Sequence, residues 1–219
     1  MGWFLRASKN GVHMVYSQKA EASCGIACII MVNFKLKKWQ LAAAASALPA
    51  GVLVAAPGAV AAFSATVKSE EEVDAAYSKV TGSPYKGTTY TYASVLARVL
   101  NELNIGRWTA RCIPSRQLAG TILDSTATGA PFITLVHWRK GGGHFVVCDN
   151  VVSGSSGSGS ADFCDPWDAA VRTLPLSRGH NVVYQAQDQP GVDFGQTHKK
   201  YSAASTADMD GWIVSRTGA

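Results

Sequence analysis

The chain predicts an α+β protein in which helices come first and strands follow. Before residue 105 apolar residues recur at three- and four-residue spacing, and from Gly106 onward short strand-favouring runs alternate with turn residues. The 219 residues, 47% apolar and 16% charged, suffice for one domain with a sizeable core. Residues 1–219 are therefore read as one unit, mainly helical over 1–105 and mainly an antiparallel sheet over 106–219.

The elements follow in order. Residues 1–15 carry Arg6 and Lys9 and lack a long apolar core, so they do not read as a signal peptide. Ser23 suits an N-cap, and Ala27, Ile30, Met31 and Phe34 keep helical spacing, so a helix begins at or beside Cys24. Lys35, Lys37 and Lys38 are placed towards its far end, where the dipole favours positive charge. Ser69 followed by Glu70, Glu71 and Glu72 opens a second helix, to Val80. Val95, Leu96, Val99, Leu100 and Leu103 give a third within Thr91 to Leu103, and Arg116 to Leu123 a short fourth. Strands are expected at 108–113, 131–138, 144–152, 161–164, 182–187 and 211–215. The Ser/Gly run Ser153 to Ser160 falls between two of them and reads as a flexible hairpin tip.

Four residue types in this order suit thiol chemistry. A free thiol is mostly protonated at neutral pH, so a nucleophilic cysteine needs a base and a field that favours the thiolate. Cys24, at a helix start, has that field. His144, entered through Gly141-Gly142-Gly143, can act as base, with Phe145 and Val147 on the other face of its strand filling the core. Asp165, on the partner strand, can orient the imidazole. Gln18, six residues before Cys24, can donate its amide to an oxyanion beside the Cys24 N–H.

Gln18, the step to Cys24, Cys24-Gly25-x-Ala27-Cys28, Gly143-His144-x-Val-Val and Asp165-Pro166 together resemble the papain-like cysteine peptidases of bacteria. The similar groups are leader-processing peptidase domains of bacteriocin exporters and secreted papain-like effector proteases. The resemblance covers roughly residues 12–38 and 128–168. It implies a papain-like fold and a Cys24–His144–Asp165 triad that cleaves a peptide bond through an acyl-enzyme. It also implies that Trp167, two residues past Asp165, shields the histidine hydrogen bond. A protein or peptide substrate, synthesis in a bacterial cytoplasm, and secretion as an effector or toxin with a secretion-system or immunity partner would follow. The same acyl-enzyme would serve a deamidase, a transglutaminase-like toxin or a peptidoglycan amidase. A non-catalytic peptide-binding module on this scaffold is the alternative from another class.

Other residues point elsewhere or nowhere. Five scattered cysteines, Cys24, Cys28, Cys112, Cys148 and Cys164, do not form a secreted disulfide framework, and Cys28 reads as packing. A zinc site built on Cys24 and Cys28 lacks a second closely spaced pair, since Cys148 and Cys164 stand sixteen apart; no metal and no cofactor is expected. His13, His180 and His198 sit in loop-like contexts, Asp162 and Asp168 lack the strand-to-turn placement of Asp165, and Asp149 would face the same way as Val147. The net charge of +5 is dispersed, which argues against a nucleic-acid groove. From Trp39 to Val67 there is one charge-free stretch, long enough to span a bilayer. Pro49, Gly51, Pro57 and Gly58 suit a buried Ala-rich helical hairpin better, and a single crossing would put Cys24 and His144 on opposite sides of a membrane.

Overall fold

The computed structural model describes residues 2–46, 67–88, 90–125, 129–186 and 206–217. Within them, four helices and an antiparallel sheet confirm the α+β class. The helices are α1 (Cys24–Ser46), α2 (Glu70–Thr81), α3 (Ala93–Glu102) and α4 (Ser115–Asp124). A hairpin of β1 (Trp3–Ser8) and β2 (Gly11–Tyr16) precedes them, so the first half is not purely helical. The main sheet has seven strands: β3 (Trp108–Cys112), β4 (Phe132–Trp138), β5 (Gly143–Ser153), β6 (Ser158–Asp165), β7 (Ala170–Ser177), β8 (Val183–Gln185) and β9 (Thr206–Arg216). Their order is β3-β9-β4-β5-β6-β7, with β8 also on β9, and every neighbouring pair is antiparallel.

Both faces of this sheet are buried, and the period of two along each strand sorts the side chains between them. On one face Phe145, Val147, Cys164, Val171 and Val214 pack with Ile29, Met31 and Val32 of α1, Val73 of α2 and Leu96 and Leu100 of α3. On the other, Phe132, Val136, Val146, Cys148, Phe163 and Ile213 pack with Leu118, Ile122 and Leu123 of α4. The alternation Phe145/Val147 in the core is as expected, but Val146 and Cys148 line a second core rather than a cleft, because α4 covers them. Burying each of Leu118 and Ile122 completely is worth about 1.5–3 kcal/mol.

Local chemistry accounts for most boundaries. Ser69 caps α2: its Oγ accepts from Glu72 N at 3.2 Å and Glu72 Oε2 accepts from Ser69 N at 2.9 Å. At the other end Gly82 takes the left-handed conformation that stops the helix. In β9, Gly211 has φ +94° and lies so close to Ile113 that a Cβ would sit 1.8 Å from its carbonyl oxygen, so only glycine lets β9 pass the end of β3.

Three expectations are revised. Helix α1 runs on to Ser46, which places Lys35, Lys37 and Lys38 mid-helix instead of near its end; Lys35 is buried against Asp149 at 2.6 Å. The Ser/Gly run is strand at both ends: β5 reaches Ser153, β6 starts at Ser158, and only Gly154 to Gly157 make the reversal, with Gly154 N donating to Ser158 O. The β1–β2 hairpin and β7 add strands beyond those expected, because short strands with Arg6, His13 and Arg172 inside them break the apolar pattern. Residues 47–66, most of the charge-free stretch, as well as His198 and Gln187, lie outside the described residues. Among those described, no helix is long and apolar enough to cross a membrane.

Candidate active site

The first turn of α1 meets the edge of the β5–β6 hairpin, and this brings Cys24, His144 and Asp165 together. Ser23 O accepts the first helical bond, from Ala27 N at 3.0 Å. Its hydroxyl is used one turn earlier, bonding both the N–H and the carbonyl of Ala20 at 2.9 Å and closing the bend that delivers the chain into the helix. Tyr85 Oη donates to Ala22 O and Ala22 N donates to Gly87 O, so this bend is held from a second segment as well. Gly25 is required directly after the nucleophile candidate: a Cβ there would stand 2.6 Å from Thr91 Cγ2 and 2.9 Å from Leu96 Cδ2.

His144 enters from a tight reversal between β4 and β5. Gly141 and Gly142 adopt φ +97° and +93°, and Trp138 N donates to Gly142 O at 2.9 Å. Folding β5 back on β4 pairs Val136 with His144 and stacks the Trp138 ring on the imidazole, 6.0 Å between centroids at 22°. The Trp138 ring thus covers one face of the imidazole. Trp167 contributes its backbone N–H to Asp165 Oδ1 at 2.8 Å.

Asp165 is wholly buried and hydrogen-bonded through both oxygens. Oδ1 meets His144 Nε2 at 2.8 Å and accepts from Trp167 N. Oδ2 accepts from Tyr184 Oη at 2.5 Å and from Arg172 Nη1 at 3.2 Å. Arg172 is shared with Asp168, whose Oδ2 lies 2.5 Å from Nη2. Burial alone would raise the Asp165 pKa. The charge and hydrogen bond of His144, the Arg172 guanidinium and the Tyr184 hydroxyl outweigh burial and hold this carboxyl well below the usual carboxylate range.

Nε2 of His144 is committed to Asp165, which leaves Nδ1 for the hydrogen bond with the Cys24 thiol. Burial disfavours charge on both partners. For His144 the Asp165 carboxylate and then Cys24 overcome this, and its pKa is pushed up to about 10. Burial likewise pushes the Cys24 thiol up, but the hydrogen bond and charge of His144, with the backbone N–H groups of Phe145 and Gly25, bring it below its ordinary value. One turn on, Cys28 is fully buried and its thiol is raised well above the ordinary range, first by burial and then by Cys24, Asp165 and Cys164; packing is its role here.

Gln18 is close but differently engaged. Its backbone N–H donates to Pro166 O at 2.8 Å, which ties the approach to Cys24 to the loop after Asp165. Both hydrogens of Nε2 are spent on Ala20 O and Glu21 O at 2.8 Å each, and Oε1 is buried without a partner. In this arrangement the side chain presents no N–H to an oxyanion. Tyr184 and Arg172 lay outside the sequence reading because nothing near them in the chain marks them; only the β7 register and the approach of β8 bring them to Asp165. His13 was read as a loop residue without partners, yet it lies on β2 between Asp149 and Asp162, since the hairpin folds over β6 and β7.

The described residues thus hold a thiol, an imidazole and a carboxylate in series, with the thiol at a helix N-terminus and the carboxylate fixed by four donors. Compared with models of known protein families and with curated proteins, the chain matches none.

Proposed function

We propose that the chain is a papain-like cysteine hydrolase that cleaves a peptide bond. The observation that carries this reading is the position of His144: its Nε2 is 2.8 Å from Asp165 Oδ1, and its imidazole acts on the buried Cys24 thiol to lower its pKa. A buried cysteine kept only for packing has no use for an imidazole that is itself held by a buried carboxylate, since both polar groups cost free energy to bury.

In this reading the thiolate of Cys24 attacks the carbonyl carbon and the imidazolium of His144 donates its proton to the leaving amine. The resulting thioester is hydrolysed by a water that His144 deprotonates. Asp165 keeps Nε2–H fixed and stabilises the imidazolium in both steps. The backbone N–H of Cys24, at the head of α1, supplies one donor to the oxyanion. Gln18 supplies a second once Nε2 releases Ala20 O or Glu21 O, an exchange its unpartnered Oε1 leaves inexpensive. Trp138 covers one face of the imidazole and also lines a cavity of about 460 Å³ with His137, Arg139, Asp208, Met209 and Asp210; Cys24, His144 and Asp165 do not line it.

Exposure of a bacterial proteome to the wild-type chain and to Cys24→Ala, followed by mass spectrometry of new N-termini, tests this. New termini with the wild type alone support peptide-bond cleavage. New glutamate in place of glutamine without new termini would convert the reading to side-chain amide hydrolysis, and identical digests would refute it.

A further inference from the structure

A second cluster of chemistry-bearing side chains lies on the other face of β6, where α1, the β1–β2 hairpin and the sheet meet. His13 Nδ1 is 2.5 Å from Asp149 Oδ2, and Lys35 Nζ is 2.6 Å from the same oxygen. One donor atom from each of His13, Asp149 and Cys164 lies within 4.8 Å of the other two. An ion among them would replace the His13–Asp149 hydrogen bond, with the donors shifting to bond lengths of about 2.0–2.3 Å.

We propose that His13, Asp149 and Cys164 form a zinc-class metal site that fastens the N-terminal hairpin to the sheet. The donor set of imidazole, thiolate and carboxylate is that of zinc rather than of calcium or magnesium, which take oxygen alone. The far side of the imidazole is already built as metal-binding histidines require. Nε2 lies 3.1 Å from Asp162 Oδ2, and that carboxylate is fixed by Ser8 Oγ at 2.8 Å, Thr173 Oγ1 at 2.6 Å and Asn10 Nδ2 at 3.1 Å. This leaves Nδ1, on the Asp149 and Cys164 side, as the ligating nitrogen. Asp149 itself is put there by a bulge: Cys148 pairs with Phe163 but Asn150 with Asp162, so Asp149 is the extra residue of β5.

Lys35 does not close the site. Its Nζ is 2.6 Å from the same Asp149 oxygen, so the ammonium competes with an ion for that oxygen while the second carboxylate oxygen of Asp149 stays within the cluster.

The test is titration of Cys24→Ala, which removes the other thiol–imidazole pair, with cobalt(II) as a spectroscopic probe and with zinc. One equivalent should bind, with a thiolate-to-cobalt charge-transfer band, and X-ray absorption of the zinc form should show a single sulfur. Lys35→Met in the same background should bind about tenfold more tightly, because the competing ammonium is gone. Cys164→Ser should lose the band while circular dichroism reports the fold. Absence of saturable binding in both Cys24→Ala and Cys24→Ala/Lys35→Met would overturn the site, as would a band that survives Cys164→Ser.

Discussion

Tyr184 gives its hydroxyl to Asp165 Oδ2 at 2.5 Å, from a short strand nineteen residues further along the chain. With Arg172 on the same oxygen, it leaves Oδ1 to His144 and the Trp167 N–H. The orientation of the base is thus set by residues that touch neither the thiol nor its approach.

Removing these supports should separate in size. Tyr184→Phe deletes one donor and keeps the packing, so urea unfolding should show a loss of about 1–3 kcal/mol. Arg172→Met leaves Asp165 and Asp168 buried without their shared cation and should cost about 3–5 kcal/mol. Equal losses from the two would contradict the geometry described for Asp165.

Asp165→Asn retains the shape of the side chain but not the charge that keeps His144 protonated. Turnover of a substrate found by the proteome experiment should fall by about 10²- to 10⁴-fold and still exceed that of Cys24→Ala. Full activity in Asp165→Asn would remove the carboxylate from the mechanism.

The pH profile follows from the two opposed shifts. Cys24 is held below its ordinary value, so the thiolate is present above that lowered pKa and is lost as pH falls through it. His144 is raised to about 10, so the imidazolium persists up to that pH and is lost above it. The product of the two is a plateau: the acid edge of kcat/KM should lie below the ordinary thiol value of about 8.5, and the profile should stay flat from that edge until it falls towards about pH 10. A profile that rises through this whole range would show an unactivated cysteine.

Gly25→Ala pushes a methyl group into Thr91 and Leu96 beside the reacting sulfur. Overpacking of this kind costs about 1–3 kcal/mol, and here it also displaces the first turn of α1, so activity should fall more than stability. Thr91→Ser removes the nearer contact and should recover part of the activity in the double variant, measured as kcat/KM against each single one.

Local chemistry was legible wherever a residue's role depends on its neighbours in the chain. Ser69 with Glu72, the helical spacing after Cys24, the glycines before His144 and the alternation of Phe145 and Val147 all predicted what the structure shows, and Cys24, His144 and Asp165 do converge. What could not be read depends on distant strands. Trp138 covers one face of the imidazole because β4 and β5 fold back on each other at Gly141 and Gly142. Gln18 turns its amide to Ala20 and Glu21 because the bend before α1 offers two carbonyls within reach. His13 and Lys35 acquire partners only through the docking of the hairpin and a bulge in β5.

Site-resolved alkylation tests the central claim most directly. Folded wild-type chain and His144→Ala are treated with limiting iodoacetamide near neutral pH, and the modification of each of the five cysteines is followed by mass spectrometry. Cys24, although buried, should react far faster than exposed Cys112 in the wild type, and His144→Ala should abolish that lead because burial is then opposed only by the backbone N–H groups of Phe145 and Gly25. Labelling of Cys112 ahead of Cys24 in the wild type, or no effect of His144→Ala, would contradict the account.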